Sequence, residues 1–411
     1  MNVTASKATQ ASTIVGQDLV AAAASLVPTL RSRGSETDAL GKLPGATIAD
    51  LQNARLFDMA VPRMYGGQQS SLRTLMDAVV EIGQGDGSVA WTLAILHGGT
   101  WMAAACYPKH VTDEIFAPGE NTRVATVFMP RRAKTKRING GVMIEEGIWN
   151  FNSGVYHAQW DILGIPIIDE ASQIIDRASA LIPISQVSLL NDWDTIGLRG
   201  SGSTSVAVKN VFVPNERLAF HSKTQQENFA ADHLRNEPLY QLPILPFLAA
   251  KLVFPALGMA KGALELFIDK ASQRSISFTF YEKQDEAAVT HLQVAEASAK
   301  IDAAELMLRR CLDDLEASTA SGTSMPMEQR ARIWRDAGFA SRLIWEVVDM
   351  LAGASGGGFA QSANPMNQYW RDVRVAGLHG GICPNTTLEV FGRILCGKTP
   401  NAPLLQPHGN D

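Results

Sequence analysis

The chain has 411 residues, of which 46% are hydrophobic and 19% are charged, and its formal net charge is −5. This composition excludes a disordered chain and predicts a globular protein of two to three domains, at about 100–200 residues per domain. The acidic balance argues against a nucleic-acid partner.

The first part of the chain, residues 1–122, is predicted to form a helical domain. Apolar residues recur at helical spacing in Gly16–Arg33, Thr47–Ala54, Leu72–Gly83 and Ser88–Cys106. The last of these segments is apolar on most sides, so we expect it to be buried.

The sequence pattern changes in residues 123–225, where short β-favouring runs alternate with turn residues. These runs are Val124–Met129, Gly141–Glu145, Gly147–Ser153, Trp160–Ile168, Ser179–Pro183 and Ser205–Val213. Several short strands at this spacing predict a small barrel or sandwich. A basic run begins at Arg131 and Arg132; it is interpreted as a solvated face, with a contact to a nucleic-acid or flavin phosphate as the alternative.

The last part, residues 226–411, begins with polar, irregular sequence and then turns helical. Its four long candidates are Leu248–Arg274, Ala287–Ala317, Met327–Ala352 and Asn385–Gly397. Four such helices predict a four-helix bundle, so the chain is placed in the α+β class as helical domain, β-domain and bundle. The glycines of residues 353–358 predict a loop that allows close backbone approach.

The cysteines and the apolar pattern bear on the compartment. Four cysteines lie far apart without a CxxC pair, which disfavours a disulfide framework or a metal site and favours a reducing, cytoplasmic setting. The first residues lack a signal-peptide pattern, and no stretch reaches the ~18 apolar residues of a membrane span. We therefore expect no membrane partner.

The most specific motif is Trp193–Ser205, with the glycine- and serine-rich centre GLRGSGS, followed by the strand-like VAV and VFVP. By itself a Gly-Ser run is only a loop entering a strand. In full, the string resembles the loop-and-strand signature of the acyl-CoA dehydrogenase superfamily. Leu43–Gly67 and Gly353–Asp372 resemble further segments of that superfamily, in the same order. The resemblance implies this fold, a flavin between β-domain and bundle, and a homotetramer in which a neighbouring subunit completes the flavin site.

The sequence also bears on the branch of the superfamily. A dehydrogenase needs a carboxylate base to remove the α-proton of its thioester substrate. His379 and Gly380 stand where a Tyr-Glu pair would be expected, and Pro238–Leu264, the alternative seat, contains no Asp or Glu. Both usual positions of the base are empty, which argues against dehydrogenation.

Two other patterns favour oxygenation. The RD.R....H spacing that ends at His379, and W.F.SG..HA.W in Trp149–Trp160, resemble the oxygenase components of two-component flavin monooxygenases. The resemblance implies reduced flavin (FADH2 or FMNH2), O2, a C4a-hydroperoxyflavin and hydroxylation of a small aromatic such as a phenol or indole. The chain lacks a GxGxxG nicotinamide motif, so a separate flavin reductase is the expected partner.

Three alternatives stay open at this point. Relatives in the same branch oxidise nitrogen or sulfur, so an N- or S-oxygenase is the first. An acyl-CoA dehydrogenase with a displaced base is the second. A non-enzymatic assembly protein of the same fold is the third.

Three residues are predicted to be catalytic. His379 titrates near neutral pH, so it is suited to deprotonate a phenol or to protonate a departing oxygen, although a structural histidine is the alternative. Ser153 is predicted to bond to the flavin edge near N5, with a strand-end turn as the alternative. His97 is placed on a buried helix where aromatic hydroxylases of this branch meet the phenolic oxygen, but a core histidine explains it equally well.

The resemblance also implies a set of cofactor-binding residues: Ser153, Phe128, His157, Arg199, Arg274 and Gly357. The two arginines suit the flavin phosphates, although Arg199 has the alternative of pairing within the β-domain. Phe128 lies on the strand expected beside the flavin ring, where Arg131 and Arg132 replace the small residues typical of the superfamily. No metal ligand set is predicted.

Overall fold

The computed structural model describes residues 16–117 and 122–405, and it consists of helices, then two sheets, then helices. All described strands lie between Val124 and Phe220, flanked on both sides by helical sequence. This order agrees with the predicted α+β class. The domain boundaries at residues 122 and 225 stay predictions.

Five α-helices precede the strands in the described part of the chain. They are α1 (Gly16–Leu40), α2 (Gly45–Asn53), α3 (Leu72–Gly85), α4 (Gly87–Ala105) and α5 (Lys109–Ile115). Ser71 and Asp86 begin α3 and α4 by accepting hydrogen bonds from Thr74 and Val89 backbone N–H groups, as N-cap residues do. Every residue of α4 is buried, as its apolar pattern predicts.

The strands form two four-stranded sheets. Their bounds are β1 (Val124–Val127), β2 (Arg132–Ile138), β3 (Gly141–Trp149), β4 (Trp160–Ile168), β5 (Ile174–Pro183), β6 (Ser188–Leu189), β7 (Val206–Pro214) and β8 (Leu218–Phe220). One sheet has the order β1-β4-β5-β8, with β1 parallel to β4, and the other is antiparallel in the order β2-β3-β7-β6.

The two sheets pack as a sandwich. Trp149 on β3 donates its indole N–H to the Gly164 carbonyl on β4, at 2.8 Å. Thr135 on β2 donates to the Pro166 carbonyl, also on β4, at 2.7 Å. These cross-sheet bonds favour the sandwich over the barrel that the sequence left open.

The basic run belongs to a strand that the sequence pattern did not predict. β2 pairs antiparallel with β3 and keeps most of its residues exposed. An edge strand with charged side chains resists pairing with other chains. The interpretation of this run as a solvated face therefore agrees with the structure, whereas two strands predicted over Gly141–Ser153 are one strand, β3.

Up to residue 405, six α-helices follow the sheets: α6 (His221–Thr224), α7 (Ile244–Ala271), α8 (Ala288–Ser321), α9 (Met327–Ala354), α10 (Pro365–Ala376) and α11 (Pro384–Leu395). The bundle is built from α7, α8, α9 and α11, which correspond to the four predicted helices. α10 packs across α7 and α9. It is a fifth long helix that the sequence reading did not predict.

α7 lies at the centre of the molecule. Gly258 on α7 and Gly83 on α3 meet closely, because a Cβ on Gly83 would lie 3.0 Å from the Gly258 Cα atom. Among the described helices, α7 alone is long and apolar enough to cross a membrane by length and composition, and 83% of its most apolar window is buried inside the protein. The core helix of a globular protein has the same properties.

Candidate active site

The segment that carries Ser153 is attached to the Gly-Ser loop of the main sequence motif. Asn152 N–H donates to the Thr204 carbonyl at 3.2 Å, and Gly154 N–H donates to the Ser201 carbonyl at 3.1 Å. Gly154 has a φ of +76°, and a Cβ there would lie 3.2 Å from Thr92 on α4. Glycine therefore suits both the turn and the close approach of α4. The structure thus joins two motifs that are separate in the sequence.

The hydroxyl groups of this attachment form a directed chain. Ser201 donates to the Leu198 carbonyl at 2.7 Å, so its oxygen accepts the proton of Ser203, 2.7 Å away. Ser203 in turn accepts from Ser153 at 2.6 Å. Trp91 on α4 donates its indole N–H to Ser153 at 3.0 Å. Since a hydroxyl oxygen has two lone pairs, Ser153 has one acceptor position left.

His379 lies next to Trp91, in the loop between α10 and α11. The two rings meet edge to face, with centroids 5.7 Å apart. The Gly381 N–H donates to His379 Nδ1 at 3.0 Å, so the neutral imidazole carries its proton on Nε2. This Nε2–H has no partner among the described residues.

The surroundings of His379 are those of a recess. The residue is solvent-accessible, but α4 and α7 surround it closely enough that burial, helped by the charge of Lys251, lowers the pKa of the imidazole to about 4. A group that solvent reaches while protein encloses it lines a concave site. We therefore place the candidate site between α4, α7 and this loop.

His97 lies on α4, close enough to Lys251 of α7 for the two side chains to interact electrostatically. It is 2% exposed, and its Nε2 lies 2.6 Å from the Leu56 carbonyl, so Nε2 carries the proton. Burial lowers its pKa to about 4, with Lys251 contributing. This bond fixes the tautomer and orientation of the ring, as it would in a core histidine.

Lys251 is the residue of this region that sequence reasoning missed. It is 4% exposed and donates to the Ala94 carbonyl on α4. Burial alone lowers its pKa to about 7. The available signal was a lysine within an otherwise uncharged, largely apolar stretch, residues 238–260, since lysines are almost never fully buried without a partner.

Two of the predicted flavin residues of the β-domain, Phe128 and His157, have aromatic rings. A hydroxyl without a partner among the described residues lies on the strand that ends just before Phe128. Phe128 and His157 are both half-buried, and burial, followed by the charges of Arg123 and Lys42, lowers the pKa of His157 to about 4. On β1, the hydroxyl of Thr126 is buried with no hydrogen-bond partner. A buried polar atom without a partner calls for an explanation, and a bound group supplies one.

The bundle offers a second such atom. Arg274 donates from Nε to Gln284 Oε1 and from Nη1 to the Ser355 carbonyl, each at 2.7 Å, but its buried Nη2 has no partner. Near Ser355, Gly357 is exposed, and a Cβ built on it would meet nothing within 4 Å. An arginine with a free N–H and open backbone beside it suits a phosphate group. These residues therefore fit a flavin nucleotide.

Arg199 bonds within the protein. Its guanidinium donates to Asp194 at 3.1 Å, to the Thr195 carbonyl at 2.7 Å and to the Asp38 carbonyl at 3.2 Å. This is the alternative considered from the sequence, pairing near the β-domain, and it leaves little donor capacity for a phosphate.

The Gly-Ser loop is held in place by the Arg-Asp pair of the other motif. Asp372 accepts from the Leu198 N–H at 2.6 Å, and Leu198 has a φ of +50°. A Cβ on Gly197 would overlap the Arg371 carbonyl. The two motifs that carry the resemblance to the acyl-CoA dehydrogenase superfamily thus form one structural unit.

A cavity of about 470 Å³ lies away from Ser153 and His379, between α1, the Gly-Ser loop and α10. Its arginines are paired: Arg31 with Glu265, Arg199 with Asp194 and Arg371 with Asp38. We place the chemistry at the hydroxyl chain and the recess, because Ser153 has a free acceptor position there and the Nε2–H of His379 has no partner among the described residues. Within the described residues, no cluster of His, Cys, Asp and Glu is arranged to hold a metal.

Comparison with known proteins gives a family match and full-length relatives. Residues 250–384 match the family "Acyl-CoA dehydrogenase, C-terminal domain". The flavin-dependent monooxygenase oxygenase subunit HsaA of Mycobacterium tuberculosis is 29% identical over 384 residues, covering 93% of this chain and 96% of the relative. The FADH(2)-dependent resorcinol hydroxylase oxygenase component of Rhizobium sp. is 26% identical, with 93% and 95% covered.

The fold is shared with a solved relative. The crystal structure of 3-HSA hydroxylase from Rhodococcus sp. RHA1 superposes with a TM-score of 0.88 at 27% identity, covering 95% of this chain and 99% of that one. The predicted order of helical domain, β-domain and bundle is confirmed as an acyl-CoA dehydrogenase-like fold.

Proposed function

We propose that the chain is a member of the flavin-dependent monooxygenase branch of the acyl-CoA dehydrogenase superfamily, to which it is similar, and that it is the oxygenase component of a two-component system. It takes reduced flavin from a separate reductase and inserts one oxygen atom of O2 into a small aromatic substrate. The relatives named above are oxygenase subunits or components and a hydroxylase, which supports this assignment.

The observation that carries the proposal is the directed chain from Trp91 to Leu198. Because each proton in it is already donated, Ser153 can only accept from a ligand. Reduced flavin differs from oxidised flavin in having an N–H at N5, which is the donor that such a site selects. When bound, reduced flavin supplies the electrons with which dioxygen is activated for insertion into the substrate.

The chain's own residues then hold protons and limit access to water. His379 is neutral at physiological pH, and its free Nε2–H is suited to donate to an oxygen atom in the recess. Trp91 covers one side of this imidazole. A fixed hydrogen-bond donor in a recess of the protein stabilises developing negative charge on oxygen.

Dehydrogenation fits the geometry less well. α7 has no carboxylate before Glu265, and that side chain is half-exposed and paired with Arg31. The position of the alternative base is thus replaced by apolar side chains and Lys251. A base that removes an α-proton must lie within hydrogen-bond reach of it.

Finer features remain part of the proposal. We expect a homotetramer, with Arg274 and Gly357 contributing to a flavin site completed by a neighbouring subunit. We also expect a cytoplasmic location, supported by the free thiols of all four cysteines. FMN and FAD are both candidates for the reduced flavin.

The experiment is oxygen transfer from labelled dioxygen. The purified chain is mixed anaerobically with chemically reduced FMN or FAD, and then with ¹⁸O₂ and a panel of phenols and indoles. We expect tight binding of reduced flavin, weaker binding of oxidised flavin, and a product with one labelled oxygen atom. Ser153→Ala and His379→Ala are expected to bind flavin less well or to release peroxide in place of product.

Two results would contradict the proposal. One is reduction of a dye by acyl-CoA thioesters, which is dehydrogenase activity. The other is failure of the wild-type chain to bind either reduced flavin at any workable concentration, which favours a non-enzymatic role. Labelled oxygen on nitrogen or sulfur of a matched substrate, with none on carbon, would move the chain to an N- or S-oxygenase.

A further inference from the structure

Lys251 is a buried amine with no carboxylate paired to it among the described residues. Its side chain is 4% exposed, and no described carboxylate forms an ion pair with it. Its one hydrogen bond goes to the Ala94 carbonyl, a group inside the continuous helix α4 that does not depend on it. A buried charge without a partner costs several kcal/mol, so a merely structural lysine here is a poor solution.

The neighbouring helix leaves room for this ammonium group. A Cβ built on Gly98 of α4 would lie 2.7 Å from Lys251 Nζ and 2.9 Å from its Cε atom. Any larger residue at position 98 would therefore push the end of the lysine away. Gly98 on α4 and Lys251 on α7 thus together determine where the nitrogen of the lysine lies.

The groups around it are basic or neutral. Burial, followed by the positive charge of Lys251 in its protonated form, lowers the pKa of both His97 on α4 and His379 in the loop after α10. Both imidazoles carry their proton on Nε2 and are neutral at physiological pH. An amine and two imidazoles, with no acid among the described residues, form a site that is complete only when an anion enters it.

On these grounds, and resting on the function proposed above, we propose that Lys251 binds the substrate's oxygen and takes up its proton, so that the enzyme selects phenols and holds them as phenolates. The amine of Lys251 is neutral before the phenol binds, as its burial favours. The phenol O–H bond breaks, its proton bonds to this amine, and the electron pair stays on oxygen. Phenolate and ammonium then form the ion pair that the empty site lacks.

The two histidines are less suited to this task. Burial lowers the pKa of each histidine to about 4, far below that of a phenol. Burial lowers the pKa of the Lys251 amine only to about 7. A base works best when its pKa lies near the working pH. The phenolate ring is richer in electrons than the phenol, which favours attack on an electrophilic oxygen. Lys251 therefore determines which aromatic ring is activated.

The test compares 4-nitrophenol with 4-nitroanisole, its methyl ether, in the anaerobic complex with reduced flavin. The phenolate form of nitrophenol absorbs visible light and the neutral form does not, so the spectrum reports the proton directly. We expect wild type to prefer nitrophenol and to bind it as phenolate. Lys251→Met should reduce the preference about 10- to 100-fold, the range for a hydrogen bond to a charged group.

Two further variants keep the test independent of folding. Gly98→Ala should shift the ammonium and reduce the preference in the same direction, by less. Lys261→Met removes a lysine from the same helix that pairs with Glu305 at 2.6 Å, and it should leave the preference unchanged. Lys251→Met itself removes a buried amine without an ion-pair partner, so it is expected to fold at least as stably as wild type.

The outcomes separate the two proposals. If wild type binds no reduced flavin, the proposed function fails. If it binds flavin and phenols, but Lys251→Met keeps both the preference and the phenolate spectrum, the role of Lys251 is wrong. Loss of reduced-flavin binding without a change in the preference would also overturn it. The role of Lys251 is also wrong if Lys251→Met weakens only the binding of 4-nitrobenzoate, since the site would then bind a carboxylate and not a phenolate.

Discussion

The indole of Trp91 lies edge to face with the imidazole of His379, with ring centroids 5.7 Å apart and planes inclined at 61°. The same indole donates its N–H to Ser153 on the β-domain. One side chain of the N-terminal helical region therefore connects the hydroxyl chain with the histidine of the bundle. Through these two contacts of Trp91, the positions of Ser153 and His379 depend on each other.

Trp91→Phe should separate these two functions of the indole. Phenylalanine keeps an aromatic ring beside His379 but removes the donor to Ser153, which then has an unpaired lone pair. With a hydrogen bond contributing about 1 kcal/mol, we expect the ratio of product to peroxide to fall about threefold to tenfold. The measurement is product formed and peroxide released per reduced flavin consumed.

The matched control is Trp101→Phe. Trp101 also lies on α4 and also donates its indole N–H, to the Leu239 carbonyl, outside the hydroxyl chain. It should lower the melting temperature without changing the product-to-peroxide ratio. If both variants change the ratio equally, the effect is one of packing and the role of the Ser153 bond is wrong.

Asp161→Asn should change how stability depends on pH. Asp161 is fully buried on β4, and it accepts from Asn152, next to Ser153, at 2.6 Å. Burial raises its pKa from 3.8 to about 7. The folded protein therefore keeps this proton up to about pH 7, whereas the unfolded chain loses it above 3.8, so the free energy of unfolding falls as pH rises through this window.

Asp161→Asn removes this titrating group, so the variant does not lose unfolding free energy in this way as pH rises. Its stability relative to wild type should rise with pH by up to about 1.4 kcal/mol per pH unit and level off above about 7. Melting curves across the window check this. Asp192→Asn is the control, because hydrogen bonding by the Ser205 N–H lowers the pKa of Asp192 and gives the opposite sign. A constant offset for Asp161→Asn would refute the prediction.

The sequence predicted most of the architecture because the strongest patterns are those of buried faces. α4, β4 and α7 show as apolar runs, and each lies in the core. β2 escaped prediction because its side chains are charged and exposed, so that only its pairing with β3 makes it a strand. α10 escaped because the sequence reading assigned its Trp370-Arg371-Asp372 segment only to a motif.

The candidate site was only partly predictable for a different reason. Motif spacing predicted roles for Ser153 and His379, and the structure joins their segments through Trp91. It could not reveal the direction of the hydroxyl chain, since that depends on the Ser201 bond to a backbone carbonyl. Nor could it reveal Lys251, because its missing countercharge is a property of three elements packed together.

Asp372 offers a pair of substitutions with opposite expectations. One of its oxygens accepts from the Leu198 N–H, and the other is buried without a partner. Burial and the nearby charge of Asp86 raise its pKa. Asp372→Asn keeps the acceptor and adds a donor, so we expect little loss of stability.

Asp372→Ala, by contrast, leaves the buried Leu198 N–H unpaired. We expect a loss of about 1–3 kcal/mol in the free energy of unfolding and looser attachment of the Gly-Ser loop. Denaturant titration of both variants tests this. Equal destabilisation by the two substitutions would mean that packing, and not the bond to Leu198, is what Asp372 provides.

Thr126→Val tests the flavin site from the side of the free protein. The Thr126 hydroxyl is buried on β1 without a partner, and valine has nearly the same shape without the hydroxyl. Removing an unsatisfied buried polar group should leave the flavin-free protein as stable as wild type or slightly more stable. If the hydroxyl bonds to the bound nucleotide, the Kd for reduced flavin should rise about threefold to tenfold, by the same hydrogen-bond scale.

These opposite signs distinguish a binding residue from a structural one. Thr135→Val is the matched control, because its hydroxyl already donates to the Pro166 carbonyl at 2.7 Å. It should lower the melting temperature and leave the Kd for reduced flavin unchanged. A Thr126→Val protein that loses stability and binds flavin like wild type would show that its hydroxyl has a partner within the chain, and the flavin would then have to be placed away from β1.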